Sequence, residues 1–120
     1  MPSLEEKRAN AIAASKAMIA LLERCGESGW AERFRPVLDA LEENHLVSAI
    51  ARYEEIPFAQ EGGFLDLVLS KENGHTVRDA NDDNELLGEI RRALTKTVAN
   101  LAVHAKTRFD QPLVTIPDAT

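Results

Sequence analysis

Residues 82–105, DDNELLGEIRRALTKTVANLAVHA, place Leu87, Ile90, Leu94, Val98, Leu101 and Ala105 at steps of three or four. That spacing keeps six apolar side chains on one helical face for five turns, the signature of an amphipathic helix packed on a core. Asp82 with Glu85 three residues later is the expected start of this helix. Such a helix cannot stand alone, so the rest of the chain must supply faces of the same period.

Working outward, residues 64–78 break the helical pattern. Phe64-Leu65-Asp66-Leu67-Val68-Leu69 reads either as a strand, with Asn73-Gly74 as a tight turn and His75-Thr76-Val77 as its return, or as an extended arm. An isolated two-stranded hairpin is marginal, so the segment has to pack on helices. Residues 56–63 form a loop, with Pro57, Gly62 and Gly63 as breakers. Before it, Leu46, Ile50 and Tyr53 define a short helix that ends ahead of Pro57. Residues 30–44 repeat Trp30, Phe34, Val37, Leu38 and Leu41 on one face. Pro36 there predicts either a start near Arg35 or a kink.

The first helix begins at Ser3, where Ser3-Leu4-Glu5-Glu6 is a capping box, and Gly26 ends it. Its stripe runs through Ala11, Ile12, Ala14, Met18, Ile19, Leu21, Leu22 and Cys25. Residues 109–120, with Pro112 and Pro117, form a tail that docks through Leu113, Val114 and Ile116 or stays mobile. The expected fold is mainly α: a single domain, a small antiparallel bundle of about four helices with a short extended or hairpin insert near residues 64–78.

Composition agrees. The chain has 120 residues, and surface scaling buries about two-thirds of its unfolded area, enough for one core without staples. It has 17 Ala and 14 Leu against 13 Val plus Ile and six aromatics, a helix-forming balance. No apolar run approaches the length of a membrane span, and the first residues lack a signal-peptide layout. One cysteine fits a reducing compartment, so the expected location is cytoplasmic.

No catalytic set emerges. Glu42-x-x-His45 and Glu72-x-x-His75 carry the spacing of helical di-iron ligands, but Asn73-Gly74 interrupts the second and the first falls in a polar helix end. Cys25 sits at a helix C-terminus, where the macrodipole disfavours a thiolate, and reads as a buried small hydrophobe. Gly62-Gly63 lacks the lysine of a phosphate loop. His104, near Lys106 and Arg108, reads as a helix-end residue. Neither a cofactor, a metal nor an enzymatic activity is expected.

Charge is unevenly distributed. Residues 26–85 carry five basic and 14 acidic groups, whereas residues 86–108 carry five basic and one acidic. The net charge of −6 repels phosphate backbones, which argues against nucleic acid as a partner. The acids read either as a solvated face paired with Arg91, Arg92 and Lys96, or as a patch for a basic partner. The patch would centre on Glu54, Glu55, Glu61 and Asp66, with Tyr53 and Phe58 as apolar anchors.

The middle of the chain resembles an uncharacterised family of small bacterial helical proteins. The matching residues are Gly26, Trp30-Ala31, Gly62, Asp66-Leu67-Val68-Leu69 and Asn73-Gly74-His75, across roughly residues 20–105. Two departures stand out. Leu65 replaces the Asn of the family's Asn-Asp-Leu-Val-Leu, and Gln60-Glu61-Gly62-Gly63 replaces its Gly-Met-Gly turn. Some similar small acidic proteins are immunity proteins. The resemblance permits a toxin-neutralising role, and the acidic charge of residues 26–85 would direct it at a cognate bacterial toxin with a basic active-site cleft. The alternatives are a structural or adaptor helical oligomer, for instance a homodimer, and a metal-dependent enzyme.

Overall fold

The structure is a computed structural model. It describes residues 3–58 and 63–110, with side chains through His104 apart from that of Asp66. Among the described residues there are four helices: α1 (Leu4–Arg24), α2 (Ser28–Glu42), α3 (Leu46–Glu54) and α4 (Ala80–Asp110). Helices α2 and α4 both pack on α1 and both pack on α3, closing a bundle. Two arginines of α1 fix the directions. Arg8, near its start, donates to the carbonyls of Leu41 and Glu42 at the end of α2 (2.7 and 3.0 Å). Arg24, at its end, meets Asp83 at the start of α4 (2.7 Å). Both neighbours therefore run antiparallel to α1.

Local chemistry explains most helix ends. Ser3 and Glu6 form the reciprocal capping box. At the far end Gly26 adopts φ +87°, and the amides of Gly26 and Glu27 turn back to the carbonyls of Glu23 and Leu22. This is a Schellman closure. Asn44 performs the same task for α2 at φ +63°, with His45 N–H donating to the Ala40 carbonyl (2.8 Å). Asn tolerates that left-handed geometry better than any β-branched residue. The Glu42-x-x-His45 spacing therefore straddles a helix end and does not share one helical face.

Two expectations about the last helix need correction, and of the two alternatives at Pro36 the start near Arg35 is excluded: α2 starts at Ser28 and runs through Pro36. Its first two turns carry Ala31 and Phe34, both fully buried, and that burial offsets a proline cost of about 3 kcal/mol. Helix α4 starts one turn earlier than expected. Asp79, not Asp82, is the capping residue, its carboxylate accepting from the Asp82 amide (3.1 Å). The same helix continues to Asp110, past the expected start of the tail at Phe109. The remaining tail, with Leu113, Val114 and Ile116, lies outside the described residues, as does the loop segment 59–62.

Residues 64–78 are an extended insert and not a hairpin. After a single 3-10 turn at Phe64–Asp66, the chain is extended to Ser70. It reverses through Lys71–Gly74, with Gly74 at φ +86° and His75 N–H returning to the Ser70 carbonyl (3.0 Å). The outgoing arm then bonds elsewhere: Thr76 N–H donates to the Cys25 carbonyl at the end of α1 (2.9 Å). Leu69, fully buried, has the Asn84 side chain as its partner. The amide oxygen accepts from Leu69 N–H (2.8 Å), and the amide nitrogen donates to the carbonyls of Leu69 and Ala80 (both 2.7 Å). One side-chain amide thus supplies the donor and acceptor that a second strand would offer.

The core gathers Met18, Leu22, Phe34, Leu41, Phe64, Leu69, Leu94 and Leu101, all essentially without exposure. Cys25 is buried among them, which pushes its thiol above the ordinary range, as its reading as a small hydrophobe requires. Leu94 is core, whereas Ile90 is half-buried.

The junction of α1, α4 and the insert holds a buried charge. The Asp83 carboxylate accepts from Arg24 (2.7 Å) and from the Arg78 amide (3.1 Å). The Arg24 hydrogen bond, with help from Arg78, holds this carboxyl below its ordinary 3.8 against the opposing effect of burial. The native state therefore binds fewer protons than the unfolded chain near that pH. Its stabilising contribution is complete above the unfolded value and is lost as pH falls through the lower folded one. Urea titrations of the wild type and Asp83→Asn should show a stability gap near neutrality that closes in strong acid. A gap independent of pH would deny the pairing its role.

Candidate partner-binding surface

The expected anchors lie beside each other, and both reach inward. Tyr53, on the last turn of α3, has its ring centroid 5.0 Å from that of Phe58. Phe58 continues to Phe64 (5.9 Å) and Phe34 (6.3 Å), and Phe64 contacts both Phe34 and Trp30 (5.1 Å each). Five of the chain's six aromatics thus form one cluster, arranged in tilted and edge-on pairs. Phe34 and Phe64 are its buried centre, while Trp30, Tyr53 and Phe58 are half-buried at its margin. The Tyr53 hydroxyl hydrogen-bonds Thr95 of α4 (3.0 Å), and burial pushes its pKa up despite that bond.

Backbone bonds close the loop that carries the expected acids. Phe64 N–H donates to the Pro57 carbonyl (2.7 Å) and Leu65 N–H to that of Phe58 (2.9 Å). These two bonds draw the start of the insert against the end of α3, so Tyr53, Glu54, Glu55, Phe58 and the backbone of Asp66 share one end of the molecule. Glu54 and Glu55 are exposed there. Glu61 and the side chain of Asp66 lie outside what the structure describes. Glu55 also borders a small cleft of about 170 Å³ with Arg33 and Arg52. Arg52 is committed to the Pro36 carbonyl (2.8 Å) and Arg33 lies over the Trp30 ring at 5.3 Å.

Among the described residues, no ion pair joins an acid to Arg91, Arg92 or Lys96, the first of the two readings of the acidic stretch. Among the described residues, the cross-element ion pairs run to α1 and α2 instead: Arg24 with Asp83, Lys16 with Glu42 (3.5 Å), and Arg35 with Glu23. The basic residues of α4 sit one or more turns beyond Asp83, out of its reach, while the end of α1 lies directly against it. No ion pair among the described residues engages Glu54 or Glu55.

Two arrangements were not visible from sequence spacing. His75, buried, accepts from Ser70 N–H at Nδ1 (3.0 Å) and faces the Glu27 carboxylate through Nε2 at 2.5 Å. The Ser70 contact assigns the ring proton of the neutral imidazole to Nε2, so the histidine staples the turn of the insert to the α1–α2 junction. The nearest sequence signal was Asn73-Gly74-His75 itself. The second is an open groove of about 640 Å³ between the insert and α4, bordered by Leu67, Val68, Leu87, Gly88, Arg91 and Arg92. Its signal was the run 64–69, in which apolar residues occupy both faces of an extended arm, so that some must face out.

Among the described residues no group of three or more His, Cys, Asp or Glu is placed to hold a metal ion. No described helix is long and apolar enough to cross a membrane. Comparison with family models, with curated proteins and with solved structures finds no match to this chain.

Proposed function

We propose that this protein is a cytoplasmic immunity protein, which binds and neutralises a bacterial toxin through the acidic end of the bundle. The observation that carries the reading is the pair of exposed carboxylates, Glu54 and Glu55, held at the end of α3 beside a rigid aromatic cluster. Toxins that consume nucleic acids or nucleotides need basic clefts to hold phosphate. An acidic protein surface complements such a cleft, speeds encounter at low salt, and slows dissociation where charges become desolvated. The half-buried rims of Tyr53 and Phe58 offer aromatic surface next to those charges at little entropic cost, since both rings are already fixed by packing.

Co-purification from the native cell extract, read by mass spectrometry and repeated at high salt, tests the partner. One toxin encoded at a neighbouring locus, released by salt, is the expected result; recovery of no partner would overturn the immunity reading. The double change Glu54→Arg with Glu55→Arg is expected to slow association by about tenfold or more at low ionic strength and to weaken protection of toxin-exposed cells. Full protection by that variant would reject the acidic surface while leaving the partner itself in place.

A further inference from the structure

The groove between the insert and α4 is separate from the acidic surface, and neither Glu54 nor Glu55 borders it. Its floor contains an oddity. Gly88 lies inside α4, more than two turns from its start, where glycine weakens a helix relative to alanine. Its φ is not in the left-handed region, so no turn requires it. Nor does packing within the chain. A Cβ at this position would meet only the Arg92 guanidinium, at 3.3 Å, which is the movable end of an exposed side chain. Among the described residues, the α4 backbone at this point of the groove is therefore covered only by the Arg92 guanidinium, which an incoming chain could displace.

The walls state what would fit. Val68 is 54 % exposed on the insert side, and Leu65 and Leu86, on the two elements that form the walls, are 47 % and 40 % exposed. On the α4 side Arg91 and Arg92 border the groove, together with Asn84 and Glu85. The stretch 86–108 that supplies this side carries five basic groups and one acidic, the reverse of the acidic stretch 26–85. We propose that this groove is a docking site for an acidic, aliphatic segment of another protein: a leucine- or valine-sized side chain seated over Gly88 beside Val68 and Leu67, with flanking carboxylates against Arg91 and Arg92. The glycine allows the partner's chain to approach the helix closely, the aliphatic contact removes exposed Val68 from water, and guanidinium forks pair well with carboxylates. The assignment does not depend on the immunity reading, because it uses different residues and the opposite charge.

The test uses the full chain and three fluorescein-labelled peptides in a Gly/Ser background, with the centres Glu-Leu-Glu-Leu-Glu, Lys-Leu-Lys-Leu-Lys and Glu-Ser-Glu-Ser-Glu. Anisotropy should show the first binding about tenfold more tightly than either control at low salt. Gly88→Leu, which fills the groove, and the pair Arg91→Glu with Arg92→Glu should each remove about tenfold or more of that affinity. Gly88→Ala serves as the folding control and should melt no lower than the wild type. Equal binding of all three peptides, binding indifferent to Gly88→Leu, or no saturation up to about millimolar peptide would overturn the proposal. So would a concentration-dependent dimer abolished by Gly88→Leu, which would make the groove an interface between copies of this chain.

Discussion

Truncating Phe64 to Ala is expected to cost about 3–5 kcal/mol, the largest single loss in this chain. The ring is 1 % exposed and stands at the centre of the aromatic cluster, touching Trp30, Phe34 and Phe58. None of these neighbours can collapse into the space easily: Phe34 is fixed in α2, and Phe58 is held by the backbone bonds that Pro57 and Phe58 accept from Phe64 and Leu65. Urea denaturation followed by the fluorescence of Trp30, the only tryptophan, reads both effects, a lower midpoint and a red-shifted folded-state emission. A loss under about 1 kcal/mol would mean that the cluster repacks and that the insert is not anchored by this ring.

Asn84→Ala should follow, at about 2–4 kcal/mol. The change removes both partners of the buried Leu69 backbone at once, and among the described residues neither group has another hydrogen-bond partner. The variant Asn84→Asp sharpens the reading. It keeps the acceptor for Leu69 N–H but places a carboxylate oxygen against the Leu69 carbonyl, so it should be no better than alanine. Equilibrium unfolding of the three proteins decides it; an Asn84→Asp variant as stable as the wild type would show that the donor half of the clamp is idle.

Helical periodicity was readable in the sequence because it depends on neighbours three and four residues away. The α4 stripe from Leu87 to Leu101 and the Ser3–Glu6 box formed as expected for that reason. The start of α4 was misplaced because Asp79, Asp82 and Asp83 are equally good caps by type. In the fold Asp79 accepts from the Asp82 amide, while Asp83 is engaged by Arg24, 59 residues earlier in the chain. The insert was ambiguous for the same reason. Its backbone partners are the Asn84 side chain and the Cys25 carbonyl, and no local pattern announces either. Proline posed the opposite problem at Pro36, where a strong local breaker was overridden by the burial of Ala31 and Phe34. At the surface, the closeness of Tyr53 and Phe58 was legible from their spacing. That Phe58 leans on Phe34 and Phe64 was not, since α2 and the insert meet only in three dimensions.

The bond from Thr76 to the carbonyl of Cys25 gives the molecule a built-in clock. The chain has one thiol, fully buried, at the place where the insert crosses the end of α1. A thiol reagent can reach it only when that crossing lifts or the bundle opens. The labelling rate in native buffer, divided by the rate for the unfolded chain, therefore reports the population of open molecules. Comparing that population with the fraction globally unfolded separates two architectures: an insert that peels away by itself as a low-stability unit, and one that leaves only when the helices do.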